Sequence, residues 1–354
     1  MKILYFSPVE WTWIKQRPHF LAEHFSFAGN DVVFCSRVPW GKGVFRSKKR
    51  RISERLIAHT YAVLPFALRC KIIEKLNNFY LKNKLFKEHF DIVIIADPRL
   101  VDIIPDKKRC AAKVIYECMD RHAFFYQGKK RETIQKKEQA ICNRADAIVT
   151  SSVFLKNELI QSYNVAAEKI TVIRNAAADN LIENLPENEN ASGMLYAGTI
   201  DSWFDWNSVI SFAHKNPSVP VRIAGPLKCV PANLPSNIEL CGVVPHSEIA
   251  KLLQSAELLV IPFVPDGLIQ AVDPVKLYEY LASGRKVLSS YWQELDYFKN
   301  HPQLNFYHNE EEFVALAEKL LADTTRCAPD GGFLAENCWS KRSREFLKIT
   351  GVKP

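Results

Sequence analysis

The chain has 354 residues, 47% of them hydrophobic and 24% charged, enough to bury a sizeable core in one to three domains. That composition excludes a disordered chain, a collagen and a small disulfide scaffold. The net charge of +8 hides a split: residues 1–170 carry 31 Lys+Arg and 17 Asp+Glu (+14), residues 171–354 carry 16 and 22 (−6), so the basic half is drawn to something anionic.

No apolar stretch approaches the roughly 20 residues of a membrane span, and the N-terminus lacks a lysine-rich start followed by a cleavable apolar segment. A soluble cytoplasmic protein is expected. The nine cysteines are odd in number and include no C-x-x-C pair, which predicts reduced thiols rather than a disulfide framework or a zinc site.

Short apolar, β-branched runs predict strands at 3–6, 32–35, 92–96, 113–116 and 147–150 in the first half. The second half predicts them at 194–197, 221–224, 238–241, 258–261, 287–289 and 304–307. Runs that are continuously apolar suit parallel strands covered on both faces, so the expected fold class is α/β, with two doubly wound Rossmann-like domains. The boundary is expected near 170–190, where a strand-like run leads through Arg174 into an acidic, Asn-rich stretch. This predicts domains of 1–170 and 171–354, with a last helix at 339–350 that either packs on its own domain or crosses back.

Residues 42–88 carry 13 Lys+Arg against three Glu, and Leu68, Ile72, Leu76 and Phe79 or Tyr80 fall at helical spacing. The expectation is one or two basic amphipathic helices over about 42–90, facing either the core or an anionic membrane surface. The Lys48–Arg51 cluster favours the membrane.

Residues 272–284 carry the densest signal. Asp273 suits an N-cap, Pro274 the first helical position and Gly284 a stop. A helix N-terminus exposes unpaired N–H groups, and Lys276 adds a full positive charge, so this end is fit to hold a phosphate. Glu279 shares the face of Lys276 and is placed to meet the hydroxyls of a ribose or sugar; the plain alternative is a capped helix with an i,i+3 ion pair. Trp11, Trp13, Gln16 and Arg17 follow the first strand and suit stacking on a sugar and gripping an acceptor phosphate, or else a helix N-terminal staple.

Residues 257–288 resemble the donor-binding region of bacterial GT-B glycosyltransferases, particularly the teichuronic-acid and xanthan glucuronosyltransferase-like group. The resemblance extends through Gln16-Arg-Pro-His19, Tyr116-Glu-Cys-Met-Asp120, Thr150-Ser-Ser152, Tyr196-Ala-Gly-Thr199, Trp203-Phe-Asp-Trp206, Ile223-Ala-Gly-Pro226 and Asn237-Ile-Glu-Leu-Cys-Gly242. It implies two domains facing a central cleft, the first binding acceptor and the second a nucleotide-sugar, a UDP-sugar above all. It also implies that Lys276 neutralises the donor diphosphate, Glu279 contacts ribose, Val275 and Phe263 line the nucleotide pocket, and the backbone of Val243 and Val244 meets the base. Gly198 and Thr199 would let the diphosphate approach closely.

Many retaining members carry a Glu eight residues before the one matching Glu279; here that position is Ala271, with Asp273 as a partial substitute, which tilts the expectation toward inversion. Transfer to a hydroxyl with inversion needs a base, and Asp120, which matches an acid in inverting relatives, is the candidate. Glu117, Asp97, His122 and His19 are the runners-up. No Asp-X-Asp and no His/Cys cluster with ligand spacing occurs, so no metal or other cofactor is expected; Lys276, the helix end and Arg174 would stabilise the leaving group. The acceptor would be a lipid-linked oligosaccharide or surface-polysaccharide precursor, met on the inner face of the cytoplasmic membrane.

A nucleotide-dependent oxidoreductase or epimerase should show G-x-G-x-x-G after an early strand, and the turn after the first strand, Ser7-Pro-Val-Glu-Trp11, holds no glycine. A nucleic-acid-binding protein would suit the basic half, but no helix-turn-helix, zinc-finger or RNP-like pattern supports it. A sugar-binding protein without catalysis would need a secretion signal in most settings, and would not need Lys276 at a helix start.

Overall fold

The computed structural model describes residues 1–41, 46–67, 69–104, 111–185, 190–325 and 327–351, with main chain only at 111 and 112. It divides into two compact units, one of residues 1–174 with 342 onward, the other of residues 175–341.

The first unit is built on a sheet of β1 (Lys2–Phe6), β2 (Asp31–Pro39), β3 (Lys48–Arg51), β4 (Leu56–Val63), β5 (Phe90–Ile95), β6 (Ala111–Cys118), β7 (Ala147–Thr150) and β8 (Ile170–Val172). Their order is β3-β4-β2-β1-β5-β6-β7-β8, and every pairing is parallel except β3 with β4. The central strands are apolar throughout because they are covered on both faces: Ile3, Leu4, Tyr5 and Phe6 are all fully buried.

Residues 48–63 correct the helical expectation for the basic segment. They form a hairpin, and among the described residues of the segment the helix is Lys71–Leu85. The Lys48–Arg51 cluster is an edge strand with all four side chains exposed, where charge guards unpaired backbone from other strands. β4 instead buries Leu56, Ala58, Tyr61 and Val63. Leu68, one of the apolar positions assigned to a helix face, lies outside the described residues, as do residues 42–45 and 186–189 of the expected basic and linker segments.

The second unit holds β9 (Met194–Ala197), β10 (Val221–Ala224), β11 (Ile238–Gly242), β12 (Leu258–Ile261), β13 (Lys286–Ser290) and β14 (Leu304–Tyr307), all parallel, in the order β11-β10-β9-β12-β13-β14. Its core includes Leu195, Leu259, Leu277, Leu281 and Phe313, each with no exposed surface. β9 lies centrally, so the chain leaves the sheet's C-terminal edge on opposite sides of it, the place where open α/β sheets bind ligands. The eight described cysteines are free thiols. Among the described residues no helix is long and apolar enough to cross a membrane.

Candidate active site

In the second unit the C-terminal ends of β9, β10 and β11 each finish in glycine. Gly198 N–H donates to the Ala224 carbonyl (2.8 Å), and Gly225 N–H to that of Gly242 (2.7 Å). A Cβ on Gly225 would fall 1.9 Å from the Gly198 carbonyl oxygen, so only glycine lets these two backbones meet. The row leaves bare backbone at the sheet edge, on which a bulky anion can settle.

The helix Val275–Ala282 begins above this edge. Its fully buried Tyr280 hydroxyl accepts from Ala197 N–H (2.8 Å), which ties the helix to the end of β9. Lys276 thereby lies over Gly198: a Cβ there would come within 2.5 Å of Lys276 Cε and 2.9 Å of its Nζ. The ammonium sits 4.8 Å from the Phe263 ring centroid and 5.1 Å from that of Tyr196. Burial brings its pKa down from 10.5 to about 8, with Glu279 working against the fall. Among the described residues Lys276 has no carboxylate within ion-pair distance. A half-buried cation between two aromatic rings, above bare backbone, is a place prepared for a negative group.

Glu279 is buried one turn further on, and His246 Nε2 lies 3.4 Å from its Oε1. His246 follows Val243 and Val244 after β11, so this contact draws the loop expected to meet a base toward the carboxylate expected to meet a ribose. In the sequence, His246 carries no signal beyond its place just past Gly242. Thr199 presents its carbonyl to the Tyr196 hydroxyl (2.8 Å). The 203–206 motif supports the same edge from the side, with Asp205 N–H donating to the Pro262 carbonyl (2.8 Å) and Val264 N–H to that of Trp203 (2.8 Å).

Asp273 is not the expected cap. Pro274 holds the N-cap position and Val275 is the first helical residue. The Asp273 carboxylate is buried and accepts from Asn175 N–H (2.5 Å) and the Tyr278 hydroxyl (2.9 and 3.1 Å). It therefore anchors the first residues of this unit and has no oxygen to lend to chemistry in place of Ala271, itself 2% exposed.

In the first unit Asp120 follows β6, at the C-terminal edge of the sheet. Burial raises its carboxyl to about 7, while the Arg17 guanidinium pulls the other way. A carboxyl of that pKa exchanges a proton near neutrality. The runners-up are occupied. Glu117 is fully buried, held by Arg17 Nε (2.8 Å) and by the Tyr5 hydroxyl. Asp97 is gripped by Arg99 (2.7–3.0 Å) and approached by Arg37 (3.4 Å); burial works to raise its pKa, but the two arginines hold it below the usual carboxylate range. His122 is brought down to about 4 by burial, so it is neutral at pH 7. His19 bridges the Glu10 carbonyl (2.9 Å) and Gln16 N–H (3.1 Å).

The acceptor set divides. Arg17 is 3% exposed and spends its guanidinium on Glu117 and on the Arg174 carbonyl (3.1 Å), so it is an internal strut and not a grip for an acceptor phosphate. Gln16 starts the helix Arg17–Phe27, exchanging hydrogen bonds with His19, and Trp11 packs edge-on against His19 and Phe34. These two hold local structure. Trp13, 54% exposed, is the aromatic of the set left open to solvent. Arg174 is the last residue of the first unit before the chain enters the second. Among the described residues no three His, Cys, Asp or Glu side chains are grouped as metal ligands.

Two units built on parallel sheets, the second with a lysine-bearing helix start above a row of glycines, have the architecture of the GT-B fold, and comparison with known proteins supports a glycosyltransferase. The glycosyltransferase family 4 profile matches residues 19–179. TuaH of Bacillus subtilis, whose name assigns it to teichuronic acid biosynthesis as a glycosyltransferase, is 23% identical over 91% of this chain and 97% of its own. The structure of Anabaena Alr3699/HepE in complex with UDP and glucose matches with a TM-score of 0.74 at 13% identity, covering 100% of both chains. Sucrose-phosphate synthase from Thermosynechococcus elongatus matches with a TM-score of 0.68 at 15% identity, covering 99% of this chain and 94% of its own. At these identities the solved structures speak for the fold.

Proposed function

We propose that the protein transfers a sugar from a UDP-sugar, without a metal ion, to a lipid-linked oligosaccharide or surface-polysaccharide precursor at the inner face of the cytoplasmic membrane. The observation that carries this is Lys276, half-buried without a carboxylate partner among the described residues, over Gly198 at the sheet edge. HepE was crystallised with UDP, and the name of TuaH places it in teichuronic acid biosynthesis, which support the donor and the acceptor class.

In the transfer an acceptor hydroxyl attacks the anomeric carbon, the bond from that carbon to the diphosphate oxygen breaks, and the hydroxyl proton passes to Asp120. The departing nucleoside diphosphate gains negative charge, which Lys276 and the N–H groups at the start of its helix stabilise. Glu279 and His246 hold the ribose, and the backbone of Val243 and Val244 meets the base, while Val275 and Phe263 line the pocket. Attack by the acceptor with Asp120 as base inverts the anomeric centre. Ala271 supports this stereochemistry, because it leaves no carboxylate at the position that retaining relatives fill.

The test is calorimetric titration with UDP, GDP and NAD, with and without a chelator, followed by transfer from the UDP-sugars that bind. UDP binding that survives the chelator is expected. Binding of NAD alone would return the chain to the oxidoreductases, and binding that needs a divalent ion would remove the metal-independent step.

A further inference from the structure

The helix Lys71–Leu85 buries an unusually thin face. Asn77, Leu81 and Leu85 turn inward, and Asn77 clamps both backbone groups of Leu64 (2.8 and 2.9 Å). The apolar residues at helical spacing point the other way: Ile72, Leu76 and Phe79 are 70, 53 and 70% exposed. They stand at i, i+4 and i+7 on one face, with exposed Lys71, Lys75 and Lys82 beside them.

Three neighbouring features reinforce this face. Phe66 is 63% exposed on a left-handed backbone (φ 66°), a conformation that a bulky residue rarely adopts. The Tyr80 hydroxyl lies 3.2 Å from Ser47 Oγ, which brings the exposed Lys48–Arg51 strand alongside the helix. Two of the nearby acids are neutralised elsewhere, Glu74 by Lys137 (2.7 Å) and Glu88 by Lys2. The surface is thus apolar at its centre and cationic at its rim.

We infer that this face docks on an anionic lipid surface, with Ile72, Leu76, Phe79 and Phe66 entering below the headgroups and the lysines meeting the phosphates. An apolar row flanked by lysines is the composition of a helix that lies in a membrane interface, and the charge selects anionic lipid over neutral lipid. The inference deepens the membrane part of the proposed function by naming the element that makes the contact.

The test is co-sedimentation of the full chain with phosphatidylcholine vesicles, with and without phosphatidylglycerol, at low and high salt. Wild-type protein is expected on the anionic vesicles at low salt. The combined variant Ile72→Ser, Leu76→Ser, Phe79→Ser is expected to bind them at least about tenfold more weakly, and Lys71→Gln, Lys75→Gln and Lys82→Gln about fivefold more weakly each. UDP titration and thermal melting should be unchanged in all four, because the positions are exposed and lie in the other unit from Lys276. Absence of wild-type binding, or serine and lysine variants that bind as wild type, would overturn the inference. So would sedimentation equilibrium in which the serine variant converts a dimer to a monomer without affecting vesicle binding, which would make the face a self-association surface. Loss of UDP binding with vesicle binding intact would sink the donor reading and leave the docking face standing.

Discussion

Replacing Lys276 by alanine separates the cost of its burial from its service to the donor. In the free protein the ammonium is held at a pKa of about 8 against 10.5. A lysine whose folded pKa is depressed costs stability in full below about pH 8. At 1.36 kcal/mol per pH unit the penalty has a ceiling of about 3 kcal/mol, and solvent reaching a half-buried side chain lowers it to about 1–3. Between pH 8 and 10.5 the unfolded chain binds more protons than the folded one, so this penalty fades as pH rises. Lys276→Ala should therefore melt higher than wild type at pH 7 without ligand, with the gap closing toward pH 10. The same variant should bind UDP more weakly by about tenfold to 150-fold, the loss of one charge-assisted contact of 1.5–3 kcal/mol. Wild-type affinity should fall as pH rises above 8, where the free lysine loses its proton, and the variant's should not. Scanning calorimetry and UDP titration between pH 7 and 10 read both effects. Unchanged UDP affinity, or a pH profile that survives the substitution, would refute the phosphate role of Lys276.

Asp120→Asn should abolish transfer while leaving UDP affinity within a few-fold of wild type. Wild-type turnover should rise through pH 7 as the raised carboxyl of Asp120 ionises, and because that pKa lies above its unfolded value, Asp120 lowers stability as pH rises from about 4 to 7; an active Asn variant would dismiss it as the base. Arg17→Met should cost about 3–5 kcal/mol in denaturant unfolding, because it strands Glu117 in the core, and adding Glu117→Gln should recover part of that loss. An Arg17 variant of wild-type stability but weak acceptor binding would restore the acceptor grip that its sequence position suggests.

What the amino-acid order determined by itself was local and repetitive. Strands such as Met194–Ala197 and Leu258–Ile261 were legible to the residue, because a parallel strand buried on both faces must be apolar at every position. The helix Val275–Ala282 was legible from Lys276 and Gly284, since a charge near the N-terminus and a left-handed stop act within one short segment, although Pro274 precedes the first helical position that it was expected to fill.

Long-range partnership was decided only by the tertiary structure. Arg17 finds Glu117 and Asp273 finds Asn175 across about a hundred residues, which turns two apparent functional groups into struts. The row of Ile72, Leu76 and Phe79 shows the limit most clearly. Helical spacing says that these side chains share a face but not which way the face turns, and that was settled by the fit of Asn77, Leu81 and Leu85 against the first unit. Lys48–Arg51 suggests a helix in sequence for a related reason: an edge strand has one bonded neighbour and two wet faces, so its composition resembles that of a solvated helix. Gly198 beneath Lys276 joins the two levels, for each residue was visible in its own segment while their approach depends on Tyr280 fastening the helix to the end of β9.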